Sequence, residues 1–200
     1  MKKMILLLLF SLAAAQAALD TLFCQEVDIE SIEEYRDLLL YGCSLGCAIG
    51  WEYSASSVLE PQGDNTYIPA NLADCDFETA WVEGVDGYGI GEEIIINFQM
   101  DENIHDMNFD GIDIINGYTK TPATWINNTR VKTFRVWHNS EPVFCIELLD
   151  TDRPQTVSFI QGHTIYLDPG DIVYLEIIDI YPGDKYEDTA ITEINLYGDH

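Results

Sequence analysis

The chain has 200 residues, 47% hydrophobic and 12% aromatic, with 35 acidic side chains against nine Lys and Arg and a net charge of −26. That charge repels nucleic acid and anionic membranes, whose contacts depend on Lys and Arg neutralising phosphate. The apolar content excludes a disordered acidic tail, and a domain of this length can bury roughly 70% of its unfolded surface.

Met1-Lys2-Lys3 is a basic start, Met4 to Phe10 a short apolar run, and Ala15-Gln16-Ala17 a small-x-small exit. This reads as a cleavable signal peptide over residues 1–17, because the run is shorter than the roughly 20 residues of a membrane helix. The expected protein is secreted, periplasmic or held at the cell surface, with no membrane insertion. Loss of Lys2 and Lys3 takes the charge from −26 to −28. In that compartment Cys24, Cys43, Cys47, Cys75 and Cys145 suggest disulfides with at least one thiol left over. Cys43 and Cys47 are close enough to bridge. A zinc site there is disfavoured, since no His stands at ligand spacing.

Residues 18–50 read as an N-terminal extension with one short helix, Asp28 to Leu40. Ile29, Ile32, Tyr35, Leu38 and Leu39 share a face, Ser31 and Glu34 can form a capping box, and Gly42 stops the helix. From residue 51 to 200 the pattern is strands between turns. Runs rich in Ile, Val, Phe and Tyr lie at Glu92 to Phe98, Gly111 to Gly117, Val131 to His138, Val143 to Leu149, Thr156 to Ile160, Ile172 to Ile180 and Ile191 to Tyr197. Many short strands with few helices predict an all-β, antiparallel sandwich. Trp51 and Tyr53 are expected to pack beneath the extension, and Trp137, alternating with Phe134 and Val136, to face solvent.

Residues 74–92, DCDFETAWVEGVDGYGIGE, allow three chemistries. A phosphate loop needs a helix N-terminus behind its glycines; here they run into Glu92-Glu93-Ile94-Ile95-Ile96, a strand, among acids. A glycosidase needs two carboxylates held about 5 to 10 Å apart, and so many acids make any nominated pair uninformative. No Gly-x-Ser-x-Gly elbow and no His-Glu-x-x-His occurs, so nothing supports an enzyme. For a cation, Asp74, Asp76, the intervening carbonyls and the Thr79 hydroxyl supply hard oxygens of the kind calcium takes. A solvated Asx-rich turn accounts for the spacing equally well.

YIPANLADCDFETAWVEG resembles the first motif of galactose-binding-like β-sandwiches, the group that contains discoidin (coagulation factor type C) domains and many carbohydrate-binding modules. CSLGCAIGWEYSASSVLEPQG, TAWVEGVDGYGIGE, IINGYTKTPATWINNTRVKTFRV and GDKYEDTAITEINLYG resemble, more narrowly, the glycan-binding translocation domain of a streptococcal NAD glycohydrolase. The resemblance runs from about Cys43 to Gly198 and implies an eight-stranded jelly roll with a binding role, separate from any catalytic domain. It also implies one structural Ca2+, held by the Asn71 backbone, Asp74, Asp76, Thr79 and Glu193. Wider-group members place Gly between the two acids where this chain has Cys75, which is strained if its φ is positive.

Sugar binding needs an aromatic face and a few planar hydrogen-bonding groups. NGYTKTPATWINNTRVK supplies Tyr118, Lys120, Trp125, Asn128, Arg130 and Lys132. YPGDKYEDT adds Lys185, Tyr186 and Asp188, placed to meet the turn that carries Glu83. The same residues have a plain structural reading, in which Lys120, Arg130 and Lys132 pair with Glu83, Asp86 or Asp188 and Trp125 is core. The expected function is a non-catalytic carbohydrate-binding module for a glycan or glycoprotein. The alternatives are a calcium-stabilised protein-interaction or envelope-structural module and, third, a carbohydrate-acting hydrolase.

Overall fold

In Glu93–Gln99 every second side chain, Ile94, Ile96 and Phe98, is buried, the period that a pleated sheet covered on one face imposes. The computed structural model describes residues 18–41, 45–159 and 162–198. The signal-peptide reading and any bridge to Cys43 fall outside the described residues. In chain order the elements are β1 (Thr21–Phe23), β2 (Gln25–Glu26), α1 (Ile32–Tyr41), β3 (Gly50–Ala55), β4 (Trp81–Val82), β5 (Glu93–Gln99), β6 (Met107–Phe109) and β7 (Gly111–Asn116). Then come α2 (Pro122–Asn127), β8 (Thr129–His138), β9 (Glu141–Glu147), β10 (Gln155–Ser158), β11 (Ile165–Leu167), β12 (Ile172–Tyr181) and β13 (Thr189–Tyr197).

One layer runs β3-β5-β12-β8-β9, antiparallel throughout, with β1 added parallel to β9 at its edge. The other runs β2-β10-β7-β13, with β4 also on β13. The first residues of β13 also pair, in parallel, with the start of β8, so the layers meet there. Ile94 and Ile96 of β5, Val136 of β8 and Leu175 of β12 form one buried cluster with Ile112 of β7 and Leu196 of β13. The protein is an all-β sandwich. Each of the seven strand runs read from the sequence appears, with ends moved by a residue or two.

The helix face is corrected. Tyr35 is fully buried and packs with Ile29, Leu39, Phe77 and Ile115 on the outer side of β7, whereas Ile32 and Leu38 are exposed. A narrow stripe centred on Tyr35 and Leu39 suffices when a helix covers only the margin of a sheet. The cap is half the expected box: Ser31 Oγ accepts from Glu34 N at 3.2 Å, but Glu34 Oε2 accepts from Glu30 N at 2.6 Å. The second helix, α2, was not expected. Thr121 and Thr124 cap it reciprocally and Pro122 opens it, a signal present in TPAT.

Two further expectations change, those for the cysteines and for Trp137. Cys24, Cys75 and Cys145 are free thiols. Thr21 pairs with Cys145, so Cys24 lies three residues along the ladder, roughly 10 Å at strand rise and too far to bridge. Cys24 is buried, which with nearby Asp113 pushes its thiol up to about 12. Trp51 and Tyr53 pack on the core cluster to which Cys24, Leu45 and Ile49 of the extension also belong, and Tyr53 donates to Ile194 O at 2.9 Å. Trp137 is half-buried, donating to Glu176 Oε2 at 2.8 Å.

Candidate functional site

Where β7 ends, Gly117 takes φ +82° and the chain turns outward through Tyr118-Thr119-Lys120. Tyr118 meets Tyr67 edge to face, centroids 6.2 Å apart. Around this pair lies a groove of about 340 Å³, lined among others by Lys120, Asn128, Tyr186 and Asp188, with Leu59 and Val82 as apolar wall. The fold thus brings Tyr118, Lys120, Asn128 and Asp188 together. Lys120 Nζ donates to Asn65 Oδ1 at 2.8 Å, and Asn128 Nδ2 to Thr124 O at 2.8 Å. The 59–67 wall was missed. It is held by Leu59 N to Val82 O and by the mutual Gln62–Asn65 backbone pair around Gly63. Its only local signal is a polar turn, QGDN, before Tyr67. Burial holds the Tyr67 and Tyr118 hydroxyls above their ordinary range, so both stay neutral donors at physiological pH.

Trp125 and Arg130 brace this groove from behind. Arg130 stacks 4.3 Å over the Trp125 ring, pairs with Asp150 at 2.7 Å, and donates to Trp125 O and Asn128 O at 3.0 Å each. Trp125 Nε1 donates to Asn116 O at 3.0 Å. A Cβ at Gly117 would lie 2.8 Å from both Arg130 Cγ and Trp125 Cδ1, so glycine is required there for close approach as well as for its φ. The structural pairing of the basic residues is real, but its acids are Asp150 for Arg130 and Asp179 for Lys132, in place of Glu83, Asp86 or Asp188. Glu83 is fully buried, and its carboxylate accepts from Thr189 N and Val85 N. It is therefore corrected from ligand contact to interior residue. Lys185 lies over the Tyr186 ring at 4.6 Å, outside the groove lining.

A short 3-10 turn at Pro69–Ala73 leads into the acidic motif. Asn71 is buried, and its amide donates to Thr66 O and Ala80 O at 2.8 Å each. Asp74 accepts from Asp76 N at 2.9 Å and from Thr79 Oγ1 at 2.8 Å, while Asp76 Oδ1 accepts from Glu78 N at 3.0 Å. Glu193, 2% exposed, points at this turn from β13. Its carboxyl is pushed up to about 9 by burial and then by Asp74, opposed by the Cys75 N–H. Glu193 Oε2 has no hydrogen-bond partner. Such an orphaned, buried oxygen calls for a proton or a cation. Asp74 is the charged group that acts on Glu193 most strongly. Asp76 is turned into its own loop, and among the described residues no three His, Cys, Asp or Glu side chains converge as a metal cage.

Cys75 does adopt the left-handed conformation, φ 57°. Cys75→Gly removes that cost but raises chain entropy in the unfolded state, so it is expected to stabilise the fold by up to about 1 kcal/mol. A urea unfolding midpoint unchanged or lowered in the variant would contradict this.

A two-layer antiparallel sandwich with its groove built from loops at one end defines a β-sandwich domain of the F5/8 type C class. The chain belongs to the NAD glycohydrolase translocation F5/8 type C domain family, which it matches over residues 47–197. Among solved structures it is similar to the C-terminal domain of a chitobiase from Bacteroides fragilis, with 19% identity over 74% of this chain and 93% of that one and a TM-score of 0.49. It is also similar to the arabinofuranosyltransferase AftD from Mycobacteria, at 16% identity, 76% of this chain and a TM-score of 0.47. The chain spans 11% of the AftD chain. No curated protein matches it. Among the described residues no helix is long and apolar enough to cross a membrane.

Proposed function

We propose that this is an exported, non-catalytic recognition module whose groove seats a glycan, free or on a glycoprotein. The observation that carries the reading is the meeting of Tyr67, Tyr118 and Tyr186 with Lys120, Asn128 and Asp188 in one groove. Aromatic faces take the apolar side of a sugar ring, and amide, ammonium and carboxylate groups take its hydroxyls. The groove lining holds one carboxylate, Asp188, where glycoside hydrolysis uses two, which supports recognition over turnover. Ca2+ held by Asp74 and Glu193 would supply the positive charge that the buried Glu193 lacks and stiffen the motif turn; Asn71, Asp76 and Thr79 shape that turn through their own hydrogen bonds.

A glycan array with wild type, Tyr118→Ala and Lys120→Ala tests the groove. Wild type should bind a defined subset, and each variant should lose about tenfold or more in affinity, the scale of one good aromatic or charged contact. Equal binding by all three would remove the groove from the account. No binding by wild type would favour a protein-interaction or envelope module, a reading that exposed Val85, Tyr88 and Ile90 on the neighbouring loop support.

A further inference from the structure

Glu83 is the one fully buried acid beside the groove, and the proposed recognition chemistry leaves it without a task. It sits between two loops. Its Oε1 accepts from Thr189 N at 3.1 Å and its Oε2 from Val85 N at 2.8 Å. Its own N–H donates to Thr189 O at 3.1 Å, and Thr189 Oγ1 donates to Tyr88 O at 2.8 Å. Gly89, at φ +66°, packs directly on this carboxylate: a Cβ there would lie 2.6 Å from Glu83 Cγ. One side chain thereby ties the 84–91 glycine loop to the first residue of β13. The groove wall lies on either side of it, since Val82 precedes Glu83 and Asp188 precedes Thr189.

We infer that Glu83 is a positioning residue, whose ionised carboxylate fixes Asp188 and the glycine loop in the geometry the groove needs. This rests on the proposed groove but can fail separately from it. An ionised carboxylate accepts from both amides at once, whereas an amide or a protonated acid turns a donor toward one of them. The loss of one buried acceptor is costly because Glu83 has no access to water. Burial raises its pKa above the ordinary carboxylate range, helped by Asp188 and Glu92, the charged groups that face it, and opposed by the Val85 and Thr189 amides.

The test is Glu83→Gln in the full chain, read first by amide hydrogen exchange. Exchange at Val85 and Thr189 should quicken about tenfold or more, while that of Ile94 and Leu175 in the sheet core should stay unchanged. Glycan affinity on the same array should drop about tenfold. Gly89→Ala, which displaces the same carboxylate sterically, should reproduce the exchange signature if Glu83→Gln folds poorly. Unchanged exchange at both amides in either variant overturns the inference, as does quickened exchange with wild-type affinity. If wild type binds no glycan, the recognition reading falls, and the exchange result alone decides whether Glu83 couples the two loops.

Discussion

Arg130→Ala is expected to lower the free energy of unfolding by about 3 kcal/mol, buried hydrogen bonds to charged groups being worth roughly 1.5 to 3 kcal/mol each net of solvent. The side chain is buried, and it satisfies two carbonyls, an acid and an aromatic face together. Asp150 is half exposed and can rehydrate, so its pairing contributes little; the larger cost comes from the Trp125 and Asn128 carbonyls and the uncovered indole. Arg130→Lys should rescue less than half of the loss, because an ammonium cannot lie flat on the ring while donating in three directions. Urea unfolding of the three proteins measures this. A change below about 1 kcal/mol for Arg130→Ala would show that the brace is solvated and dispensable. Glycan affinity should also fall in Arg130→Ala, because Asn128, a groove residue, hangs from the same guanidinium.

The second large effect is a pH dependence set by Glu193. Its folded pKa, about 9, lies above the unfolded carboxylate value near 4.3. The folded state therefore holds a proton that the unfolded state releases between those values. Stability is fully present below the unfolded pKa and falls as pH rises toward the folded one, by at most about 1.4 kcal/mol per pH unit. With chelator, melting temperature should thus fall from pH 5 to pH 8, and Glu193→Gln should abolish the fall. Added Ca2+, by binding the ionised pair in the native state alone, should flatten the slope and raise the melting temperature at pH 8 by several degrees. Identical melts with chelator and with Ca2+, together with no calcium in elemental analysis, would leave Glu193 protonated and the turn metal-free.

The strands were legible because period-2 burial is local: Ile94, Ile96 and Phe98 declare their face within seven residues. The positive φ at Cys75 was signalled only through the family resemblance, whose wider-group members carry Gly between the two acids. What could not be read was which face meets which partner. Leu38 and Tyr35 share one helix face in the sequence reading, yet only Tyr35 reaches Phe77 and Ile115. Glu83 looks like any acid in an acidic turn; its fate depends on amides two residues and 106 residues away. Lys120 finds Asn65 across 55 residues, so the groove's far wall exists only once the sheet order is set. Trp125 combined the cues of a sugar platform with those of a core residue, and the single glycine at 117 decides for packing.

The two N-terminal edge strands set the order in which the molecule can be built. β1 and β2 find their neighbours on β9 and β10, roughly 120 residues later, and contacts so distant in sequence are late to form. At about 5–20 residues per second of synthesis, Thr21 to Glu26 wait many seconds with bare amides, and the rims of β9 and β10 stay open until they arrive. Completion of the shell is thereby reserved for a chain made past Ser158, and an intermediate stalled before that step carries two open seams on which another copy could stick.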